Sequence, residues 1–442
     1  MKVEWRPLRP DGIIGWGSRE EKAAMKKAIR RPVPTQGVLE QLRLPLAELM
    51  RATLLDTVIT AGSVEAIRIL EEQRQALCGP KHAQTEGRQA YRYGYSPGSL
   101  VMGGRRVTLP RPRVRSLEGR ELELPAWRQW SNEDPLEQRA LAQMLLGVST
   151  RGYAGSLEPL PAPLPERGKS RSAVSRRFVG RTQKRLTELL HRDLSGLKLA
   201  ALMIDGIHFE DHVVLAALGI DESGHKHVLG LWEGATENAR ATKGLLEDVV
   251  SRGLVTDRAL LVVIDGAKAL YKAARDVFGK RALIQRCQEH KKRNVADQLP
   301  ESMRPSVRRA INEAYESSDP ERALRLLGNL AARLETEHPG AAASLREGLA
   351  ETLTVVELGL TGWLRFTLRT TNPIDNLFGS VRKVTNRVKR WRGGRMMLRW
   401  CAASVLDAST RFRRIRGYAE MPKLIAALRA HDGSLDEEKA VA

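Results

Sequence analysis

The sequence has few cysteines and no long apolar run. Only three of its 442 residues are cysteine, namely Cys78, Cys287 and Cys401, and they lie far apart. This odd, widely spaced set argues against a disulfide framework and suits a reducing compartment. No apolar run reaches the length of about 18 residues that a membrane span needs, and the opening MKVEWRPLRPDG lacks the apolar core of a signal peptide. We therefore expect a cytoplasmic protein with no membrane partner.

Acidic residues are scarce relative to basic ones. The chain has 73 lysine and arginine residues against 52 aspartate and glutamate residues, a formal net charge of +21. A surplus of this size indicates a polyanionic partner, and nucleic acid is the first candidate. Hydrophobic residues make up 42% of the chain, enough to fill a sizeable core in at least one of two or three domains.

The N-terminal part of the chain is predicted to be basic and mainly helical. Residues 1–36 lack strong periodicity and are interpreted as a loosely ordered arm, whereas apolar spacing between 42 and 78 predicts two amphipathic helices broken near Gly62. Between 91 and 124, prolines and glycines predict a hairpin of short strands. Five arginines make this hairpin basic: Arg105, Arg106, Arg111, Arg113 and Arg115.

A helix-turn-helix pattern follows the predicted hairpin. Residues 135–157 are predicted to form a helix, a turn at Gly147 and a second helix capped by Ser149, and a third helix begins after Ser170 or Ser172, beyond a proline-rich hinge at 158–169. The third helix carries the basic residues Arg171, Arg176, Arg177, Arg181, Lys184 and Arg185. Such residues reach phosphates or base edges when a helix enters the major groove. A solvated basic face on a helical linker is the alternative.

From residue 197 the pattern is that of an α/β domain. The segments LKLAALMIDGIHFE, DHVVLAALGIDESG and HKHVLGLWEG predict an antiparallel meander. A helix, the strand LLVVIDG, a second helix and a strand at 282–285 follow, and this order predicts an RNase H-like fold, a mixed sheet flanked by helices. Residues 300–350 are helical in pattern and are interpreted as an insertion.

These patterns divide the chain into six segments. The predicted segments are a helical and small β region at 1–130, a helix-turn-helix-like DNA-binding region at 131–195, the first part of the core at 196–299, the helical insertion at 300–352, the end of the core with a basic segment at 353–425, and a tail at 426–442. No internal repeat is present, so we expect each segment to have its own structure.

Two aspartates follow apolar strands of the predicted core. Asp205 is predicted to end the first strand and Asp265 the fourth, and each is followed by glycine. Carboxylates that converge on Mg²⁺ ions support phosphodiester chemistry, in which one ion activates the attacking oxygen and the other steadies the leaving oxygen. For either aspartate taken alone, a turn or helix-capping role is the alternative.

Several motifs together resemble the Mutator-type family of transposases, which includes many bacterial insertion-sequence enzymes. The motifs are GVSTRGY, SAVSRRF, MIDGIHF, GATEN, VIDGAKAL, RCQEHKKRN, TTNPIDN and VKRWRGGRMMLRW. They are highly specific in combination and span most of the chain. The resemblance implies an RNase H-like catalytic domain with a helical insertion, a DDE carboxylate triad, a divalent metal (Mg²⁺, with Mn²⁺ as a substitute) and an N-terminal region that binds terminal inverted repeats.

The resemblance also assigns site residues. Asp205 and Asp265 match the first two catalytic, metal-binding aspartates of the family. The third position is Asp375, inside TTNPIDN, where the family usually has glutamate, so the predicted triad is DDD. Glu357 lies outside that motif, and we interpret it as a surface residue.

Three other polar residues accompany the predicted triad. Cys287 and His290 match the family's C/D-x-x-H element. Because two ligands do not make a zinc site, we predict a structural or DNA-positioning role for them. His208, three residues beyond Asp205, supports the site only if the strand has turned by that point, and otherwise it points outward.

A second basic segment follows Asp375. Residues 382–416 contain twelve basic residues and one acidic residue, with Trp391 and Trp400 interleaved. We predict that the segment holds the DNA backbone, chiefly through Lys389, Arg390 and Arg392. The tryptophans either stack on unpaired bases or pack in the core. A solvated basic face is the alternative for the whole segment.

The sequence thus predicts a DNA transposase. Its expected partners are double-stranded DNA, both terminal inverted repeats and target, and further copies of itself on that DNA. Two alternatives stay open. One is another RNase H-like nuclease, and the other is a transposase-derived DNA-binding regulator that has lost catalysis, an interpretation that the aspartate at 375 favours.

Overall fold

The chain divides into two compact units, residues 1–181 (unit 1) and residues 182–442 (unit 2). A computed structural model describes residues 46–82, 87–102, 104–132, 135–157, 166–209, 212–234 and 238–441. The arm predicted at 1–36 and residues 158–165 of the predicted hinge lie outside these ranges. Within them, no helix is long and apolar enough to cross a membrane. All three cysteines are buried and carry free thiols.

Unit 1 combines helices with a small antiparallel sheet. Its elements are helix α1 (Leu46–Cys78), strands β1 (Ala90–Met102), β2 (Arg105–Ser116) and β3 (Glu121–Leu122), helices α2 (Pro125–Asn132) and α3 (Pro135–Leu145), strand β4 (Glu166–Arg167) and the first part of helix α4 (Arg171–Leu190). Strands β1 and β2 form a hairpin, and β3 and β4 both pair with β2. Leu70 of α1 packs with Leu100 and Val107 of the hairpin in a shared apolar cluster.

The predicted break near Gly62 is wrong, because α1 continues through this residue. A glycine inside a helix costs only about 1 kcal/mol relative to alanine. Ile59, Ala66 and Leu70 recur at helical spacing and are all buried. Burial of this continuous apolar face offsets the cost of the glycine.

The predicted division of the hairpin into short strands is also wrong. Strands β1 and β2 have 13 and 12 residues and contain the prolines that were expected to interrupt them. Pro97 lies opposite Pro110 in the register, so the two residues that lack an amide donor share one position of the ladder. Gly104, directly before β2, has a φ of +82° that favours glycine.

The helix-turn-helix prediction fails at its middle helix. After α3, residues 146–153 form turns and loop, followed by one turn of 3-10 helix at Ala154–Ser156. The Ser149 hydroxyl accepts a hydrogen bond from the Gly152 amide (3.0 Å), which closes a turn and does not begin an α-helix. The third predicted helix, α4, forms, and the Ser170 hydroxyl accepts from the Ala173 amide (3.3 Å) at its start.

Unit 2 is built on a five-stranded mixed sheet. Its strands are β5 (Leu199–Phe209), β6 (His212–Asp221), β7 (Lys226–Gly234), β8 (Leu260–Ile264) and β9 (Ala282–Arg286), in the spatial order β7-β6-β5-β8-β9. The antiparallel meander of β5, β6 and β7 confirms the prediction. Strand β8 pairs parallel with β5, and β9 pairs parallel with β8.

Helices cover both faces of this sheet. They are α5 (Ala239–Ser251), α6 (Lys268–Phe278), α7 (Gln288–Asp297), α8 (Arg304–Glu316), α9 (Pro320–Leu334), α10 (Pro339–Arg346), α11 (Thr354–Glu357), α12 (Gly362–Leu368), α13 (Asn372–Thr385), α14 (Gly394–Ser409) and α15 (Met421–Val441). The predicted insertion is helical as expected. The segment predicted as a tail belongs to α15.

The alternation of side chains along β5 separates two cores. Leu202 and Ile204 pack on one face with residues of α5 and α6. Met203 and Ile207 pack on the other face with the insertion and the C-terminal helices, α13 among them. Because side chains on a strand alternate between faces, Asp205 lies on the same face as Met203 and Ile207. The helix that carries Asp375 therefore packs on the face of the sheet to which Asp205 belongs.

Candidate active site

Asp205 and Asp265 lie side by side on neighbouring strands. The parallel pairing of β5 with β8 ends at Ile204 opposite Ile264, and the next residue of each chain segment is the aspartate. Neighbouring strands are about 4.8 Å apart, so the register brings the two carboxylates into one neighbourhood. Asp265 follows directly after β8, whereas the prediction that Asp205 ends its strand is wrong. β5 continues to Phe209 because its pairing with the antiparallel β6 extends to that point.

Each of these carboxylates accepts a hydrogen bond from nearby backbone. Oδ1 of Asp205 accepts from the Gly206 amide (2.8 Å), and Oδ1 of Asp265 accepts from the Ala267 amide (2.8 Å) at the start of α6. Both aspartates are half-buried. Gly266 has a φ of +109°, so the tight turn between β8 and α6 favours glycine.

Asp375 lies in the first turn of α13 and is linked to the core through Thr371. The Thr371 hydroxyl lies 3.1 Å from Oδ2 of Asp375, 3.3 Å from Nδ1 of His290 and 3.5 Å from Sγ of Cys287. The Asp375 amide donates back to the Thr371 carbonyl (3.0 Å). Thr371 is fully buried, so it fixes the start of α13 and the carboxylate together.

Cys287 connects this group to the strand that precedes Asp265. Its amide donates to the Ile264 carbonyl (2.7 Å), and its sulfur accepts from the Thr371 amide (3.4 Å). Burial opposes ionisation of the thiol, but hydrogen bonds from His290 and Thr371 outweigh it and lower the pKa of Cys287. The C-x-x-H pair therefore holds the ends of β8 and β9 against the start of α13.

His290 links the pair to the first two aspartates electrostatically. Its hydrogen bond to Cys287 raises the pKa of His290 to about 9 against the cost of burial, and the charges of Asp205 and Asp265 raise it further. Such coupling requires proximity, so His290 lies near Asp205 and Asp265. Protonated His290 places a positive charge near these two carboxylates.

Two residues considered from sequence lie elsewhere. β5 is unbroken from Asp205 to His208, and a separation of three residues in a strand puts the two side chains on opposite faces. His208 is exposed. Glu357 is exposed at the end of the short helix α11, which agrees with its interpretation as a surface residue.

Sequence reasoning overlooked Thr371 and Arg286. Thr371 precedes a helix with proline in its first turn and lies four residues before Asp375, a spacing at which two residues of a helix are neighbours. Arg286, opposite Ile264 in the register, is buried, and its Nη1 donates to the Gly266 carbonyl (3.1 Å). Its place at the end of a predicted strand was the available signal for a role beside Asp265.

The segment between α13 and α14, residues 386–393, lies at the same end of β5 as Asp205. Trp391 packs edge-on against Phe209, with ring centroids 5.1 Å apart. This contact and its packing against the core favour the structural role for Trp391 over base stacking. Phe209 is four residues past Asp205, about 13 Å along the strand. The three basic residues predicted to hold DNA are all exposed in this segment: Lys389, Arg390 and Arg392.

The predicted DNA-contacting residues of unit 1 differ in their surroundings. Arg171 and Arg176 are exposed on α4. Arg177 is half-buried, and its Nη1 donates to the Gly168 carbonyl (2.6 Å), so it supports the chain that leads into the helix. The three arginines are therefore not equivalent on this helix.

The donor set suits a hard divalent cation, but the ligands are not gathered into a metal-binding group. Carboxylate oxygens are the ligands that Mg²⁺ prefers. Over the described residues, no three histidine, cysteine, aspartate or glutamate side chains are close enough together to hold a metal ion. Asp205 and Asp265 are thus the pair best placed to hold an ion, with Asp375 adjoining them through Thr371 and His290.

Comparison with known proteins identifies the family. Residues 39–414 match the Transposase, Mutator family. The transposase of insertion sequence element IS6120 from Mycolicibacterium smegmatis is 31% identical over 304 residues, which cover 66% of this chain and 90% of that protein. The transposase of IS406 from Burkholderia multivorans is 28% identical over 339 residues (73% and 84%), and that of ISRM5 from Rhizobium meliloti is 25% identical over 366 residues (80% and 87%). The chain belongs to the Mutator family of transposases.

Proposed function

We propose that this transposase cuts DNA at the ends of its element and joins the freed 3′-hydroxyls to target DNA, using an RNase H-like catalytic core. One observation carries the proposal: the parallel pairing of β5 with β8 ends directly before Asp205 and Asp265. The order of the five strands and the helices on both faces support the fold assignment. The family membership supports DNA as the substrate.

The proposed site holds Mg²⁺ through Asp205 and Asp265, with Asp375 completing the ligand set and Mn²⁺ as a substitute. When bound, the metal would activate the attacking oxygen and stabilise the charge on the leaving oxygen. The protein residues have distinct tasks. Asp205 and Asp265 are held in place by the sheet, Thr371 orients Asp375, and His290 balances part of the negative charge when no metal is bound.

DNA is proposed to contact both units. The exposed residues Lys389, Arg390 and Arg392 would bind phosphates near the carboxylates. Unit 1, in which Arg171 and Arg176 are exposed on α4, would bind the terminal inverted repeats. Since an element has two ends to cut and join, we propose that several copies of the chain assemble on DNA.

A second candidate, a DNA-binding protein with impaired catalysis, has one observation in its favour. The described residues contain no group of three metal ligands. Asp375 is one methylene shorter than the usual glutamate, a loss of roughly 1.5 Å of reach. Full ligation by all three carboxylates then requires α13 to shift inward or a water molecule to bridge the gap.

Cleavage of the element's own terminal DNA separates the two candidates. We expect Asp205→Asn and Asp265→Asn to reduce Mg²⁺-dependent cleavage and joining to background, because each loses a charged ligand, while DNA affinity stays within about twofold. Asp257→Asn is the matched control, since Asp257 is exposed in the loop before β8. Normal cleavage by either active-site variant would contradict the assignment. A parent protein that binds terminal DNA but is inactive with both Mg²⁺ and Mn²⁺ would establish the second candidate.

A further inference from the structure

Two large aromatic side chains are exposed on α12, the helix that ends just before the threonines of TTNPIDN. Trp363 and Phe366 are 55% and 45% exposed. They lie three residues apart on one side of the helix, with ring centroids 5.6 Å apart and planes inclined at 81°. Adjacent exposed rings of this size mark a surface that interacts with a partner.

Arginines accompany these rings. The guanidinium of Arg416 lies 5.1 Å from the Trp363 ring centroid, and that of Arg369 lies 4.7 Å from the Phe366 centroid. The neighbouring Tyr418 is 48% exposed and has Arg414 at 5.0 Å. We define the aromatic–arginine surface by the residues Trp363, Phe366, Arg369, Arg414, Arg416 and Tyr418.

The surface is held in shape by contacts between α12 and the loop after α14. The Thr367 hydroxyl lies within hydrogen-bonding distance of the carbonyls of Trp363 (2.9 Å) and Arg416 (3.1 Å). Gly417 has a φ of +81°, and a Cβ there would lie 2.1 Å from the Leu364 amide nitrogen. Only glycine allows this close approach, so the loop rests directly on the helix.

The charge of the surface favours an anionic partner. Arg369 pairs with Glu316 (2.9 Å), but Arg414 and Arg416 have no carboxylate partner among the described residues. Nε of Arg414 donates to Nε2 of His225 (3.1 Å), whose Nδ1 lies 3.6 Å from Oδ2 of Asp221. Exposed aromatic rings beside two arginines without a direct carboxylate partner are a combination that single-stranded nucleic acid binds, through stacked bases and phosphates.

One end of the surface lies near the candidate active site. The carbonyl of Arg369 accepts from the Gln288 amide (3.0 Å), beside Cys287. Trp363 is six residues earlier than Arg369, about 9 Å along the helix. Arg414 and Tyr418 lie farther away, because the amide of Ile415 between them donates to the Gly224 carbonyl (2.9 Å) in the β6–β7 turn, at the end of the sheet opposite Asp205.

We propose that the aromatic–arginine surface binds unpaired nucleotides of a DNA strand. Trp363 and Phe366 stack on bases, and Arg414 and Arg416 contact the phosphates. Stacking requires exposed base faces, which a duplex hides, so the ligand is single-stranded. The inference rests on the proposed function for its substrate, DNA, but on none of the roles given to the carboxylates. Base stacking, which the sequence suggested for Trp391, is thus proposed for this surface, because Trp391 packs on Phe209.

The test measures binding of the full-length protein in EDTA, where no cleavage occurs. The probe is a single-stranded oligonucleotide of about 12 residues with 2-aminopurine in the middle, whose fluorescence is quenched on stacking. We expect the double variant Trp363→Ala/Phe366→Ala to bind it at least about tenfold more weakly and to lose the quenching. Affinity for the matching duplex should stay within about twofold. Trp363→Phe, which keeps a ring, should retain most of the binding.

Leu324→Ala is the matched control, because Leu324 is a similarly exposed apolar residue (43%) on α9 of the insertion. Unchanged single-strand affinity in the double variant would overturn the inference. Equally weakened binding of single-stranded and duplex DNA would overturn it in favour of a duplex-binding surface. A smaller oligomer than that of the parent in sedimentation would do so in favour of an interface between copies. The two proposals can fail separately. If the parent protein never cleaves DNA but the double variant still binds single strands more weakly, the proposed chemistry is wrong and this inference is supported.

Discussion

The two units differ in how their proposed DNA-contacting residues are arranged. In unit 2 the candidates lie on one face of the sheet, since Asp205 adjoins Asp265 in the register and Asp375 contacts Thr371 on a helix that packs on that face. In unit 1 the basic residues are spread over a helix and a hairpin, and some serve the fold, as Arg113 does through its ion pair with Glu121 (2.6 Å). Chemistry depends on fixed geometry, whereas charge-based binding adds up over many phosphates. Single substitutions should therefore have large effects in the first region and small ones in the second.

After substitution of Asp205 or Asp265, the largest loss of cleavage is expected on substitution of Asp375. Asp375→Ala should lower strand cleavage with Mg²⁺ by about a hundredfold or more, because removal of a direct ligand exceeds the roughly 10–100-fold cost of losing an outer partner. Asp375→Glu should equal or exceed the parent, since the longer side chain restores the reach. Asp257→Ala, an exposed change in the same unit, is the control. Normal cleavage by Asp375→Ala would show that Asp375 is not a metal ligand.

A smaller effect in the same region is expected at Thr371. Thr371→Val keeps the shape of the side chain but loses the hydroxyl that contacts Asp375, so cleavage and Mn²⁺ affinity should each fall about tenfold. Thr371→Ser, which retains the hydroxyl, should restore both. Thr385→Val tests specificity, because Thr385 is buried at the other end of α13 and donates to the Val381 carbonyl (2.9 Å). Equal decreases in the Thr371 and Thr385 variants would indicate general destabilisation of the helix.

The smallest effect is expected in unit 1. The double variant Arg171→Gln/Arg176→Gln should bind terminal-repeat DNA a few-fold more weakly, and the slope of log affinity against log salt should decrease by about 2, one for each phosphate that the variant no longer neutralises. Affinity should be measured over a range of salt concentrations. Arg322→Gln/Arg333→Gln on α9 removes the same charge from two exposed positions. If this control changes the slope equally, α4 has no special part in binding.

The secondary structure of unit 2 was largely predictable from sequence, whereas that of unit 1 was not. Strand β8 is a continuous apolar run, and the meander strands carry long apolar segments, so local patterns were strong enough. In unit 1, local signals at Gly62, Pro97 and Ser149 suggested breaks or a cap. Packing of α1 outweighed the signal at Gly62, and pairing of β1 with β2 outweighed that at Pro97. Ser149 closes a turn and does not cap a helix. Tertiary contacts outweigh propensities of about 1 kcal/mol.

The sequence by itself determined the family motifs, the strand-borne aspartates, the acidic residue at 375 and the basic surplus. Only the tertiary structure decided that Thr371 joins Cys287, 84 residues away in the chain, to Asp375, and that Trp391 is packed while Trp363 is exposed. The physical reason is range. Periodicity and turn chemistry act over a few residues, but sheet register and helix packing bring together side chains from distant segments, and these decide which polar groups meet and which rings face solvent.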